Sequence, residues 1–206
     1  MGAHYDSCFN PGADDNASGV AGVLETARLL AQQNTNKTIR FIAFVNEEPP
    51  FFQTELMGSL VYARAAKKRQ DKIKGVIILE MLGFYSDKPF SQRYPPPLGI
   101  FYPNRGNFIG LVSNFKSRHL TASIKKSFRK NKIPAESVIF NFFSAASFSD
   151  HWAFWQEGYP AAMVTDTSFL RNKYYHTAQD TYEKLDYNMI CAIVCGLKDT
   201  LLSLAD

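Results

Sequence analysis

The side chains of this 206-residue chain best suited to chemistry are acids and histidines: His4 with Asp6, the pairs Asp14-Asp15 and Glu47-Glu48, Glu80, and His176. Adjacent carboxylates such as Glu47 and Glu48 repel each other unless something positive separates their roles. A divalent cation does so economically. One carboxylate ligates while its neighbour, pointing the other way, takes a proton from metal-bound water. Histidine supplies the borderline-soft nitrogen that zinc favours. His4, Asp15, Glu48, Glu80 and His176 are therefore five candidate ligands. Five exceed the needs of one tetrahedral zinc with an open position, but suit two zincs sharing a carboxylate, each with one histidine and one further acid. Plainer readings stay open at this point: Asp14 or Asp15 would equally serve as a helix N-cap, and a loop histidine as an ordinary surface group.

Elements must deliver these residues to one place. Val20, Val23, Leu24, Ala27, Leu30 and Ala31 recur at helical spacing behind Asp14-Asp15-Asn16, which predicts a helix from about Ala17 to Gln32. Ile39 to Val45 is short, β-branched and aromatic, as a buried strand is, and it ends just before Glu47. Further on the pattern predicts a helix near Glu55 to Lys68, a strand from Lys74 to Leu82, a strand from Phe108 to Ser113 and a helix from Arg118 to Asn131. Strands Val138 to Phe142 and Pro160 to Thr165 and a closing helix from Tyr187 to Leu204 follow. Ser86 to Asn107 holds five of the ten prolines and no periodicity, so it reads as a long surface loop bordering the cleft. Alternating strands and helices imply a three-layer α/β/α sandwich with a mostly parallel central sheet. Ligands of such sheets sit beyond the carboxyl ends of the strands. His4, Glu47-Glu48, Glu80 and Asp166 all follow or end a predicted strand.

Composition narrows the classes. With 46% hydrophobic and 20% charged residues the chain is an ordinary globular one, neither disordered nor coiled coil. No apolar run approaches the roughly 20 residues of a membrane span. Cys8, Cys191 and Cys195 are too few for a disulfide framework and read as free thiols. The net charge of +4 is concentrated between Asn114 and Lys132, which carries seven lysines and arginines and no acid. With no nucleic-acid motif beside it, and with Leu120, Ile124 and Phe128 at helical spacing, this segment reads as the solvated face of a core helix rather than a nucleic-acid surface.

Six strings occur in order: Gly2-Ala3-His4-Tyr5-Asp6-Ser7, Gly12-Ala13-Asp14-Asp15-Asn16-Ala17-Ser18-Gly19, Asn46-Glu47-Glu48, Leu79-Glu80-Met81-Leu82-Gly83, Ser149-Asp150-His151 and Tyr174-Tyr175-His176-Thr177. Together they resemble the signatures of the zinc aminopeptidases of metallopeptidase family 28, a clan that also holds glutaminyl cyclase. The resemblance implies a zinc-exopeptidase-like domain over residues 1–206. His4, Asp15 and Glu80 would hold one zinc and Asp15, Glu48 and His176 the other, with Asp15 as the bridge and Glu47 as the general base. Tyr175 would steady the oxyanion, and Asp6 and Asp150 would support the ligands from behind. Many members carry Asp where Glu80 stands. Relatives also carry a segment before the Gly2-Ala3-His4 string, so the chain is read as amino-terminally truncated, with His4 on a terminus prone to fray and its zinc weakly held. The implied activity is hydrolysis of amino-terminal residues from peptides with a free amine, through a hydroxide between two zincs. The alternatives are a glutaminyl-cyclase-like acyl transferase with one zinc, or a non-catalytic remnant of the fold.

Overall fold

In the computed structural model, which describes residues 1–140 and 147–206, six strands form one sheet in the order β2-β1-β3-β6-β4-β5. The strands are β1 (Gly2–His4), β2 (Ile42–Phe44), β3 (Val76–Glu80), β4 (Ile109–Ser113), β5 (Ala135–Ile139) and β6 (Ala161–Thr165). Neighbours pair in parallel except β4 with β6, so β4 and β5 run opposite to the other four. The expected mostly parallel sheet is therefore what the chain forms. Five helices flank it: α1 (Gly19–Leu30), α2 (Gly58–Lys68), α3 (Arg118–Lys130), α4 (His151–Gln156) and α5 (Tyr187–Ala205).

Strand alternation explains the two cores. On β3, Ile77 and Leu79 enter one cluster with Val23, Phe128, Ile193 and Leu197, beneath α1, α3 and α5. Val76 and Ile78 enter the other with Ala63 and Phe154, beneath α2 and α4. Successive side chains of a strand face opposite sides, so the unbroken apolar run of β3 belongs at the sheet centre, covered on both faces. Gly196 lets α5 close on α3, since a Cβ there would stand 2.7 Å from both Phe128 and Ile133.

Some expectations are corrected. The amino terminus does not fray. The Met1 amine donates to the Arg40 carbonyl at 2.7 Å, and β1 lies between β2 and β3, with His4 opposite Phe44 and fully buried. An interior strand, paired on both edges, is held even when short. Strand β5 begins at Ala135 rather than Val138, because an edge strand half open to solvent accepts Glu136 and Ser137; the expected end at Phe142 lies outside the described residues. Helix α4 was not expected, being too short to show a period. Helix α5 is long and apolar enough to cross a membrane by length and composition alone. Lys198 and Asp199 interrupt its apolar run in sequence, while Ile190, Ile193, Leu197 and Leu201 are buried in the first core. In α3 the stripe Leu120, Ile124 and Phe128 is likewise buried, with the basic residues around it.

Candidate active site

The carboxyl ends of β1, β2, β3 and β6 open on one cleft, and each delivers a residue to it. His4 ends β1 and Glu80 ends β3. Beyond β2 the chain turns at Asn46, whose φ of 60° is left-handed, and so presents Glu47 and Glu48. Met81 and His176 take similar values, 54° and 55°, where the chain must bend sharply beside the site. Asp15 sits in an irregular turn before α1, and Asn16 pins that turn to β3. The Asn16 amide donates to the Leu79 carbonyl at 2.9 Å, and its oxygen accepts from the Met81 N–H at 3.0 Å.

The five expected ligands come together. His4 Nε2 lies 3.4 Å from Asp15 Oδ1 and 3.3 Å from Glu80 Oε2. His176 Nε2 lies 3.1 Å from Asp15 Oδ2 and 3.2 Å from Glu48 Oε2. Asp15 thus turns one oxygen to each histidine. Donors about 2.0–2.2 Å from a tetrahedral zinc stand roughly 3.3–3.6 Å apart, close to these separations. Among the described residues the approaches lack hydrogen-bond geometry: His4 Nε2, Asp15 Oδ2 and His176 Nε2 are buried atoms with no hydrogen-bond partner. Converging donors that do not bond one another suit a divalent cation, and the residues present fit that chemistry.

The two adjacent aspartates divide their work. Asp14 Oδ1 accepts from the Gly83 N–H and its Oδ2 from the Asn172 amide, both at 2.8 Å, and the Ser18 hydroxyl donates to the Asp14 carbonyl. Its carboxylate is committed to the protein, whereas that of Asp15 faces both histidines; neither acts as the side-chain cap of α1.

Glu47 Oε2 stands 3.8 Å from His4 Nε2, behind the ligands. Burial first, then the charges of Glu80, Asp150 and Glu48, pushes its carboxyl well above the usual range. Burial also lifts Glu80, and lifts Asp150 to about 7. Against the opposing effect of burial, the charge of Glu80 and the approach of Asp15 and Asp6 hold His4 well above its ordinary value. Asp15 and Glu48 raise His176 to about 10. The metal-free cleft thus gathers protons among crowded acids, and a dication is the other means of neutralising them.

The supporting residues differ in detail from expectation. His4 Nδ1 bonds the backbone oxygen of Asp6 at 3.1 Å, while the Asp6 carboxylate lies 3.6 Å away and accepts from the Glu48 N–H at 3.0 Å. Asp6 therefore contacts both His4 and Glu48. Asp150 is fully buried at the head of α4, and neither of its oxygens is hydrogen-bonded among the described residues. Tyr175 stacks on the His176 ring, centroids 3.8 Å apart, and burial followed by the surrounding carboxylates raises its phenol far above the ordinary range. Sequence reasoning missed Ser149, whose hydroxyl donates to Glu80 Oε2 at 2.6 Å, although it opens one of the six strings. It also missed Asp180, which accepts from the Asp14 and Asp15 N–H groups at 3.1–3.2 Å; only its spacing from His176 could have drawn notice.

A cavity of about 460 Å³ extends from these acids along β4, β5 and β6. Gly110, Val112, Val138 and Met163 form its floor, and Tyr94, Leu98 and Tyr102 of the expected long loop form a wall. That loop is fixed by Gln92, whose oxygen accepts from Arg171 Nε at 2.8 Å and whose amide donates to Thr167 at 2.9 Å.

Residues 1–194 match the model of peptidase family M28. Among curated proteins the chain is 40% identical over 212 residues to the uncharacterized protein YfbL of Escherichia coli (strain K12), covering 96% of this chain and 64% of that one. It is 28% identical over 204 residues to leucine aminopeptidase 1 of Ajellomyces dermatitidis, covering 91% and 48%. Among solved structures, that of BSAP, a zinc aminopeptidase from Bacillus subtilis, superposes with a TM-score of 0.75 at 25% identity, covering 100% of this chain and 45% of that one. The chain spans about half to two thirds of the length of the curated relatives it matches. With a family model matched over nearly its whole length and that family's kind of donors gathered in one cleft, the chain belongs to peptidase family M28.

Proposed function

We propose that residues 1–206 form the single catalytic domain of a dizinc aminopeptidase, which removes amino-terminal residues from peptides. His4, Asp15 and Glu80 would hold one cation and Asp15, Glu48 and His176 the other. The observation that carries this reading is the bridging pose of Asp15, with its two oxygens 3.4 Å and 3.1 Å from the two histidines. The relatives named leucine aminopeptidase and zinc aminopeptidase support it. Bound zinc supplies a Lewis acid and a lowered pKa for water, so that a nucleophile exists near neutral pH.

The chain's own residues do the rest. Glu47 takes the proton of the attacking water and returns it to the leaving amine. The Tyr175 phenol, kept protonated, donates toward the oxygen of the scissile carbonyl. The apolar cavity accepts the amino-terminal side chain. The crowded carboxylates attract the free α-ammonium, which confines the reaction to chain ends.

The test is release of leucine from a leucyl peptide with a free or an acetylated amine, alongside the zinc content. Hydrolysis of the free peptide alone, with two zincs, is expected. One zinc with cyclisation of an amino-terminal glutamine and no hydrolysis would establish the glutaminyl-cyclase alternative instead.

A further inference from the structure

Cys8 lies in the loop that follows β1, four residues past the end of the strand that carries His4. The loop is pinned by Asn10, whose side chain donates to the Cys8 carbonyl at 3.1 Å and accepts from the Gly12 N–H at 2.7 Å. Ser7 donates to the Asn10 carbonyl at 3.1 Å. In this turn Phe9 is fully exposed while Cys8 is half-buried, so the thiol is turned inward. It faces donors. The Cys8 sulfur, a Glu48 oxygen and a His176 nitrogen all lie within 4.8 Å of one another. Glu48 is 4% exposed and one of its oxygens has no hydrogen-bond partner. Asp15 Oδ2, 3.1 Å from His176 Nε2, is also buried and has no hydrogen-bond partner among the described residues. Among the described residues, the thiol thus neighbours two side chains, Glu48 and His176, that each carry a buried atom without a hydrogen-bond partner.

We propose that Cys8 is an additional donor to the cation held by Asp15, Glu48 and His176, a soft sulfur ligand at a position otherwise open to water or substrate. This rests on the dizinc reading above. Zinc takes thiolate sulfur at about 2.3 Å alongside nitrogen and oxygen, so closure needs an inward shift of the Cys8 turn. On coordination the thiol loses its proton to solvent, a sulfur–metal bond forms and a water leaves the cation. The site then prefers thiophilic divalent ions over magnesium or calcium, and substrate has to displace the sulfur to reach that cation. Cys191 and Cys195, exposed on α5 across the sheet, are internal controls.

The experiment uses the whole chain, freed of metal and titrated with Co²⁺. A near-ultraviolet sulfur-to-cobalt charge-transfer band is expected with the visible bands of bound cobalt, lost in Cys8→Ser and kept in a Cys191→Ser, Cys195→Ser double variant. In parallel, iodoacetamide labelling of the native chain, mapped by peptide mass, should slow at Cys8 when zinc is added and stay unchanged at Cys191 and Cys195. Visible cobalt bands without the charge-transfer band, together with equal labelling of Cys8 with and without zinc, would overturn the proposal and leave the dizinc reading standing. Binding of neither cobalt nor zinc would overturn both.

Discussion

Glu47 and Glu48 are neighbours in sequence to which the proposed reaction gives opposite duties, and their surroundings separate them. Glu48 shares His176 with Asp15, whereas Glu47 stands back beside His4 under the fields of Glu80 and Asp150. Glu47→Gln should therefore keep both metals while lowering turnover by ~10²–10⁴-fold, because an amide cannot take the proton. Near-normal turnover in that variant would show that another group is the base. The histidines set the pH dependence. Both imidazoles are raised in the metal-free chain, His176 to about 10. A group raised in this way stabilises the metal-free fold fully below its unfolded value of ~6.5 and loses that contribution as pH rises through its folded value. Zinc needs the unprotonated ring, so protons compete with it across the window from ~6.5 to about 10. Zinc affinity should climb with pH there, with proton release visible by calorimetry in buffers of different ionisation enthalpy. An affinity flat with pH and no proton release would count against the two histidine ligands.

At the scale of elements, what positions Asp15 is a hydrogen-bonded turn, and Asp180 holds it from outside the helix by accepting two backbone N–H groups. Asp180→Ala would strand these buried donors, each costing about 1–3 kcal/mol. The variant should melt lower and lose affinity for both metals together. A variant with unchanged melting and metal content would show that the turn holds itself. Such supports were the least legible part of the sequence, since Asp180, Ser149 and Asn172 act through contacts 69 to 166 residues away along the chain. The elements themselves were readable where a periodic apolar pattern was long, as in α1, α3 and β3. They were unreadable where it was short, as in α4, or where an edge strand admitted polar residues, as in β5. The fraying expected of His4 was wrong for a related reason: sequence position at a terminus says nothing of which neighbours a strand acquires, and β1 acquires two.

For the molecule as a whole, the antiparallel pairing of β4 with β6 and the proline-rich loop meet at the cavity, which Gly110, Val112, Val138 and Met163 line together with Tyr94, Leu98 and Tyr102. The gathering of His4, Asp15, Glu48, Glu80 and His176 in one cleft was legible because its chemistry is carried by residue types and by six ordered strings. The cavity's shape was not, because it depends on how Gln92 and Arg171 anchor a loop with no period. What joins the two halves of the site is Asp15, and the account stands on it. The most direct measurement is the number of zincs bound per chain, by elemental analysis after dialysis, in the native protein and in Asp15→Ala. The account expects two in the native chain and concerted loss of both in the variant, with the fold retained. One zinc in the native chain, or loss of a single zinc in Asp15→Ala, would contradict it.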